Sequence, residues 1–217
     1  MKFLSYESKF SQIILKLCNC CYLNLLWLIC SIPIFTIGAS TSALYSVTLK
    51  IARNEDVIIH RQFFKAFREN FRQATVLWLI LLVLGLCLGG DIYVLYHLHT
   101  HATGTAAVIL TLMLALVIVA TIAYVMILFY VFPLVTSVVN TNIAMLKNSF
   151  FIGIRYLFCT ILLFGIHFAV FFVSVRIFTP LLIFGQGLCA MLSSPFLSNV
   201  IGACSYNPNE TNKVNEK

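Results

Sequence analysis

Between Gln73 and Ser205 the chain carries only four charged side chains, Asp91, Lys147, Arg155 and Arg176. A surface kept in water needs roughly a quarter of its residues charged, and no stretch of this length can bury so much apolar area against itself alone. The whole chain follows suit: of 217 residues 61% are hydrophobic and 10% charged, and the mean hydropathy is +0.98. A soluble globule, a disordered chain, a fibrous repeat and a nucleic-acid-binding domain are excluded. The composition specifies an integral membrane protein.

Five apolar segments have lengths suited to a bilayer core about 30 Å thick: 17–37, 74–96, 105–132, 156–175 and 177–203. None alternates like a strand. Backbone groups in lipid must be bonded internally, so these runs predict helices. The expected fold class is all-α, a polytopic membrane helical bundle of about five transmembrane helices plus a cytoplasmic amphipathic connector helix over 59–73. Residues 1–205 read as one transmembrane domain, and the polar tail 206–217 as disordered. Lys2, Lys9 and Lys16 precede the first segment as the bases of a signal peptide would. That segment is too long for such a peptide and lacks a small-residue cleavage site, so it is expected to be retained.

Lys and Arg number 14 against 7 Asp and Glu, and the bases sit in short loops, where they set topology and meet lipid headgroups. Five full spans with the N-terminus outside place 10 bases inside and 4 outside. If the first segment instead turns back at Ser31-Ile32-Pro33, the partition becomes 13 against 1. The sequence reading adopts five spans, since the first segment is long enough to cross. Both arrangements put the region 38–73 and the C-terminus in the cytoplasm.

Three groups of residues are candidates for function. Pro33 removes a backbone donor and breaks the first helix. Gly38 permits a turn, and Ser31 and Thr36 can satisfy the freed backbone groups. Broken helices line substrate sites in transporters, although a helix that simply ends at the interface has the same signature. In the connector, Arg61, Lys65, Arg68 and Arg72 recur at helical spacing, and Phe63, Phe64, Phe67 and Phe71 form an adjoining face. Such a helix lies in the headgroup plane or docks into a cytoplasmic partner. Finally, Asn24, Asp91, His167 and Gln186 are polar at membrane depth, where ionisable groups are costly and mark sites or proton paths. Each alone is also explained by helix packing. A cluster would favour a site.

Weaker signals remain. His97, His99 and His101 alternate in the loop after the second segment and could ligate Zn²⁺ or Cu²⁺, but no Cys or Glu completes the set there, and an ordinary external loop reads the same. Gly85 and Gly89 form a GxxxG step suited to close helix approach. The 8 cysteines lie mostly in apolar segments and read as reduced packing residues. No phosphate-binding, zinc-hydrolase or nucleophile-elbow motif occurs, so no enzyme activity, cofactor, metal site or nucleic-acid partner is expected.

Asn24-Leu-Leu-Trp27, Ser31-Ile-Pro-Ile34, Thr36-Ile-Gly-Ala39, Ala43-Leu-Tyr45 and the run from Phe63 to Ala74 resemble the YesL-like family of bacterial membrane proteins. The resemblance is specific over about the first 80 residues. Beyond them it rests on segment pattern and a Phe132-Pro133-Leu134 junction. It implies a small polytopic protein of unassigned activity, from a family whose genes lie beside carbohydrate ABC-transporter components, polysaccharide-degrading enzymes and two-component regulators. The expectation is therefore an accessory or regulatory component of an oligosaccharide uptake system. Its partners would be the lipid bilayer and ABC-permease subunits or a sensor kinase. The rival expectation is a small permease acting as a homo-oligomer. The three histidines are not part of the family pattern.

Overall fold

The computed structural model describes residues 9–101, 103–176 and 181–205; the tail expected to be disordered lies outside the described residues. The protein is an all-α bundle with no strand among the described residues. Its helices are α1 (Lys9–Cys30), α2 (Ile37–Ala52), α3 (Ile59–His101), α4 (Thr105–Val135), α5 (Asn142–Arg155), α6 (Leu157–Arg176) and α7 (Leu181–Ser205). The stretches Ile34–Ala52, Ile59–Thr100, Thr105–Val135 and Leu157–Arg176 are each long and apolar enough to cross a membrane. The outward faces of the last three carry Leu, Ile, Val and Phe, as at Leu86, Leu116, Ile161 and Phe168, all exposed. Water would not tolerate that much contiguous apolar surface, whereas lipid requires it.

The centre of the bundle is α2, and the sequence reading had no helix there. Every residue from Gly38 to Leu49 is buried, and α2 touches α1, α3, α4 and α7. Its composition explains both facts. Gly38, Ala39, Ser40, Ser42 and Ala43 are small enough for neighbouring backbones to close in, and the same hydroxyls depress the apolar signal. They are bonded along the helix itself: Ser40 Oγ donates to the Thr36 carbonyl at 3.0 Å, Thr41 Oγ1 to Ile37 at 2.7 Å and Ser42 Oγ to Ala39 at 2.9 Å. Ser194 Oγ of α7 donates to Thr48 Oγ1 at 2.7 Å, tying the last helix to this centre.

The described segments differ from the expected ones at three places. The 17–37 run is not one span: α1 stops at Cys30, and the chain turns at Pro33 into α2, which lies antiparallel beside it with Trp27 Nε1 donating to Thr41 Oγ1 at 3.1 Å. The run over 17–37 is therefore not one continuous helix, and the second arm of the pair, Ile37–Ala52, lies beyond it. Next, 59–73 is no separate connector helix but the first part of α3, whose 43 residues make a rod about 64 Å long. Asn54, at φ 58°, ends α2 in the left-handed conformation that Asn tolerates better than most residues. The Glu55 N–H closes the turn by donating to the Lys50 carbonyl at 3.0 Å. Lastly, α5 precedes α6 as a short helix of its own, and Tyr156 breaks the two apart with φ −112° and ψ 49°. The segments 105–132, 156–175 and 177–203 correspond to α4, α6 and α7. The α3–α4 turn needs Gly104, at φ 66°.

Gly38 is the tightest contact of this core. A Cβ built there would lie 2.5 Å from both the Ala74 carbonyl oxygen and Trp78 Cβ, whereas one at Gly89 would meet nothing within 4 Å. Gly38→Ala is expected to destabilise the protein by about 1–3 kcal/mol through overpacking. Gly89→Ala should be neutral or slightly stabilising, by about 0.5–1 kcal/mol from helix propensity. Thermal unfolding of the two purified variants, followed by circular dichroism in one detergent, checks the contrast.

Candidate functional site

The chain break works as a capped corner. Past Pro33 a single 3-10 turn, Ile34–Thr36, leads into α2. Thr36 Oγ1 lies 2.7 Å from both the Cys30 and the Pro33 carbonyl oxygens, so its one hydroxyl proton serves the carbonyl that ends α1 or that of the turn after it. Ser31 was expected to share that task, but its Oγ is buried without a partner among the described residues. Gly38 also has a role other than the expected one: it lies inside α2 with an ordinary negative φ and is needed for close packing, not for a turn. The corner itself is apolar outward, with Ile32 77% and Ile34 67% exposed and Phe35 beside them.

The first part of α3 sorts its aromatic residues into two faces. Phe63 is fully buried and Phe67 half-buried, their rings stacked 6.4 Å apart, and with buried Ala66 they fix this end of α3 to the core. Gln62 Nε2 donates to Ser46 Oγ at 2.8 Å, and Lys50 Nζ to Gln62 Oε1 at 3.3 Å. Phe64 and Phe71 stay exposed beside exposed Arg61, Lys65, Arg68 and Arg72. His60, Arg61, Phe64, Lys65, Arg68 and Glu69 line a shallow groove. Lys65 and Glu69 make an exposed pair at 4.0 Å, a contact of little energetic weight in water. The result is a rigid surface carrying four cations and two phenyl rings.

Two of the four intramembrane polar residues come together. His167 of α6 and Gln186 of α7 line one pocket of ≈ 230 Å³ with Trp27, Thr41, Tyr45, Trp78, Phe129 and Phe132. His167 Nδ1 lies 2.9 Å from the Leu163 carbonyl. A carbonyl only accepts, so Nδ1 carries the proton and Nε2 of the neutral ring is an acceptor. The imidazole packs 4.8 Å from the Phe129 ring. Asn24 is fully buried next to this site, its Oδ1 accepting from the Gly187 N–H at 2.8 Å. A Cβ at Gly187 would lie 2.9 Å from Asn24 Cβ, so the missing side chain lets α1 and α7 meet there. Asp91 does not join them: it is exposed on the outer stretch of α3.

The sequence reading overlooked the walls of this pocket, above all Trp27 and Trp78. The chain has only two tryptophans, and that both belong to segments meeting near Pro33 was the one available signal. Of the remaining candidates, His99 Nε2 lies 3.0 Å from Thr111 Oγ1 and His97 packs on Tyr93 at 5.0 Å, while the side chain of His101 lies outside the described residues. No metal-ligating cluster forms among the described residues. The Gly85–Gly89 step is half used: Gly85 faces Tyr124, whose hydroxyl donates to the Leu81 carbonyl at 3.0 Å, and Gly89 faces nothing within 4 Å. The described cysteines are all free.

Residues 20–92 match a family model described as a protein of unknown function, DUF624. That stretch holds most of α1, the corner, all of α2 and the basic face of α3, and it contains the motifs on which the resemblance rests. The chain is also 27% identical over 157 residues to the uncharacterised protein YteU of Bacillus subtilis (strain 168). The similarity covers 70% of this chain and 66% of the relative, so the chain spans just under two thirds of that protein's length. No solved structure matches.

Thr36→Val removes the hydroxyl that closes the corner and should cost about 1 kcal/mol or somewhat more. Thr36→Ser should retain the bond and the stability. Comparative thermal unfolding of the pair separates the hydroxyl's contribution from that of side-chain volume.

Proposed function

We propose that this chain is a YesL-like, non-enzymatic accessory component of a carbohydrate uptake system in a bacterial plasma membrane. Its basic face on α3 docks on a cytoplasmic partner, an ABC-permease subunit or a sensor kinase. The observation that carries this reading is the division of labour within Arg61–Arg72. Phe63, Ala66 and Phe67 are spent on the core, which leaves Phe64 and Phe71 exposed beside four exposed cations, of which only Lys65 has an acidic neighbour, Glu69, among the described residues. Exposed rings among guanidinium and ammonium groups on a rigid helix match the chemistry of a partner-recognition patch more closely than a solvated surface. Anionic lipid headgroups add attraction for the same bases. The carbohydrate system enters through the family resemblance alone.

The antiparallel α1–α2 pair supports an orientation. With both ends of that pair on one side, 10 of the 11 Lys and Arg among the described residues fall on the side of the α2–α3 turn and only Arg176 on the other, the pattern that marks a cytoplasmic face. In a cysteine-free background, Glu55→Cys should react with an impermeant maleimide only after the cells are opened, and Thr103→Cys in intact cells. The reverse labelling would overturn the orientation.

A second reading, a small permease, draws on the pocket that holds His167 and Gln186 inside the bundle. Reconstituted vesicles that accumulate a labelled oligosaccharide without any other protein would establish it. The accessory role is tested by recovering the tagged protein from native membranes in mild detergent. Arg61→Gln, Lys65→Gln, Arg68→Gln and Arg72→Gln combined should leave folding intact, since all four side chains are exposed, and reduce recovery of the partner at least about tenfold, as expected when several interfacial charges are lost. Undiminished recovery would sink the assignment of this face.

A further inference from the structure

We infer that the pocket between Trp27, Trp78, Phe129, Phe132, His167 and Gln186 is a binding site for one neutral pyranose ring. Four observations carry this. First, the lining contains no Asp, Glu, Lys or Arg, so a charged ligand would enter it unpaired, at a prohibitive desolvation cost. Second, its aromatic groups are pinned: Trp27 Nε1 donates to Thr41 Oγ1 at 3.1 Å and Trp78 Nε1 to the Ile34 carbonyl at 2.8 Å. With both N–H groups engaged, the indoles offer carbon surface rather than hydrogen bonds.

Third, the polar groups that remain suit hydroxyls. His167 Nε2 is an acceptor, and Gln186, which has no hydrogen-bond partner among the described residues, supplies both an amide donor and a carbonyl acceptor. A sugar hydroxyl donates and accepts at once, so this mixed set matches it. Fourth, the rings do not form a parallel slot: Trp78 and Phe132 meet at 50°, Phe129 and His167 at 43°. A flat aromatic ligand stacks best on parallel faces, whereas the C–H face of a puckered ring needs a single aromatic wall. At ≈ 230 Å³ the pocket is below the range of about 300–1,000 Å³ for drug-sized ligands, which limits the occupant to about one ring.

The inference deepens the proposed function by naming a ligand class, and it rests on that reading for a place in uptake but not for the binding itself. The test uses the full chain alone in lipid nanodiscs with a tryptophan-free belt, because alkyl-glycoside detergents carry the probe in their own headgroups. Both tryptophans of the chain line the pocket, so intrinsic emission reports directly on it. Methyl glycosides of glucose, galactose and mannose are titrated, with glucuronate as the charged control.

The expected result is a saturable change in emission with at least one neutral glycoside, weaker by about tenfold for glucuronate and for Gln186→Ala, as when a hydrogen-bonding partner is lost. Circular dichroism of the variant confirms its fold. No saturable change with any of the three glycosides, or equal binding of glucuronate, overturns the inference whatever the variant does. Equal binding by Gln186→Ala overturns the assigned geometry. A protein that still captures its partner but binds no glycoside loses this inference alone.

Discussion

The close approach of α2 to α3 at Gly38 is the contact on which the remaining packing depends. Where the Ala74 carbonyl and Trp78 sit against a missing side chain, α2 can lie deep enough for α1, α4 and α7 to gather around it. In lipid no hydrophobic effect drives helices together, so association relies on dispersion at short range and on interhelical hydrogen bonds. The bundle supplies both at one place. Small residues on α2 allow the short range, and Trp27–Thr41, Thr48–Ser194 and Asn24–Gly187 supply the bonds between helices.

The same centre sets the two candidate surfaces. Anchoring the start of α3 through Phe63 and Ala66 fixes which way Arg61, Lys65, Arg68 and Arg72 face. Anchoring Trp78 against the corner, with its indole N–H on the Ile34 carbonyl, shapes the pocket shared by α1, α2, α3, α4, α6 and α7. A basic outer face and a neutral inner pocket are thus held by one helix, α3, at different heights along its length. The family match over residues 20–92 covers the framework of both, while His167 and Gln186 on α6 and α7 lie beyond it.

The sequence was most legible where composition alone decides. Apolar runs of bilayer length identified α4, α6 and α7 and the outer stretch of α3, because lipid-facing helices cannot disguise their hydrophobicity. The failure at α2 has the opposite cause. A helix surrounded by protein needs no apolar exterior, so Ser40, Thr41, Ser42, Ser46 and Thr48 diluted the signal and the run was cut at residue 37. Treating Phe63, Phe64, Phe67 and Phe71 as one face failed for a related reason. Helical spacing gives the angle between rings but not which of them meets another helix. Pro33 was legible as a break, and Thr36 as its hydroxyl cap. The pocket was not, because its lining comes from six helices and no short motif encodes that convergence.

The bond between Thr48 and Ser194 spans 146 residues, which bears on how the molecule is made. During synthesis α2 leaves the ribosome long before α7 exists, so its hydroxyls spend that interval without their final neighbour. They tolerate it because Ser40, Thr41 and Ser42 already bond their own helix, and Thr48 has the Tyr45 carbonyl at 3.4 Å. A helix with its polar groups satisfied from within can wait beside α1 and α3 in the translocon or the lipid. The arrival of the last helix then closes the centre, so the first hairpin made is among the last parts of the protein to reach its final packing.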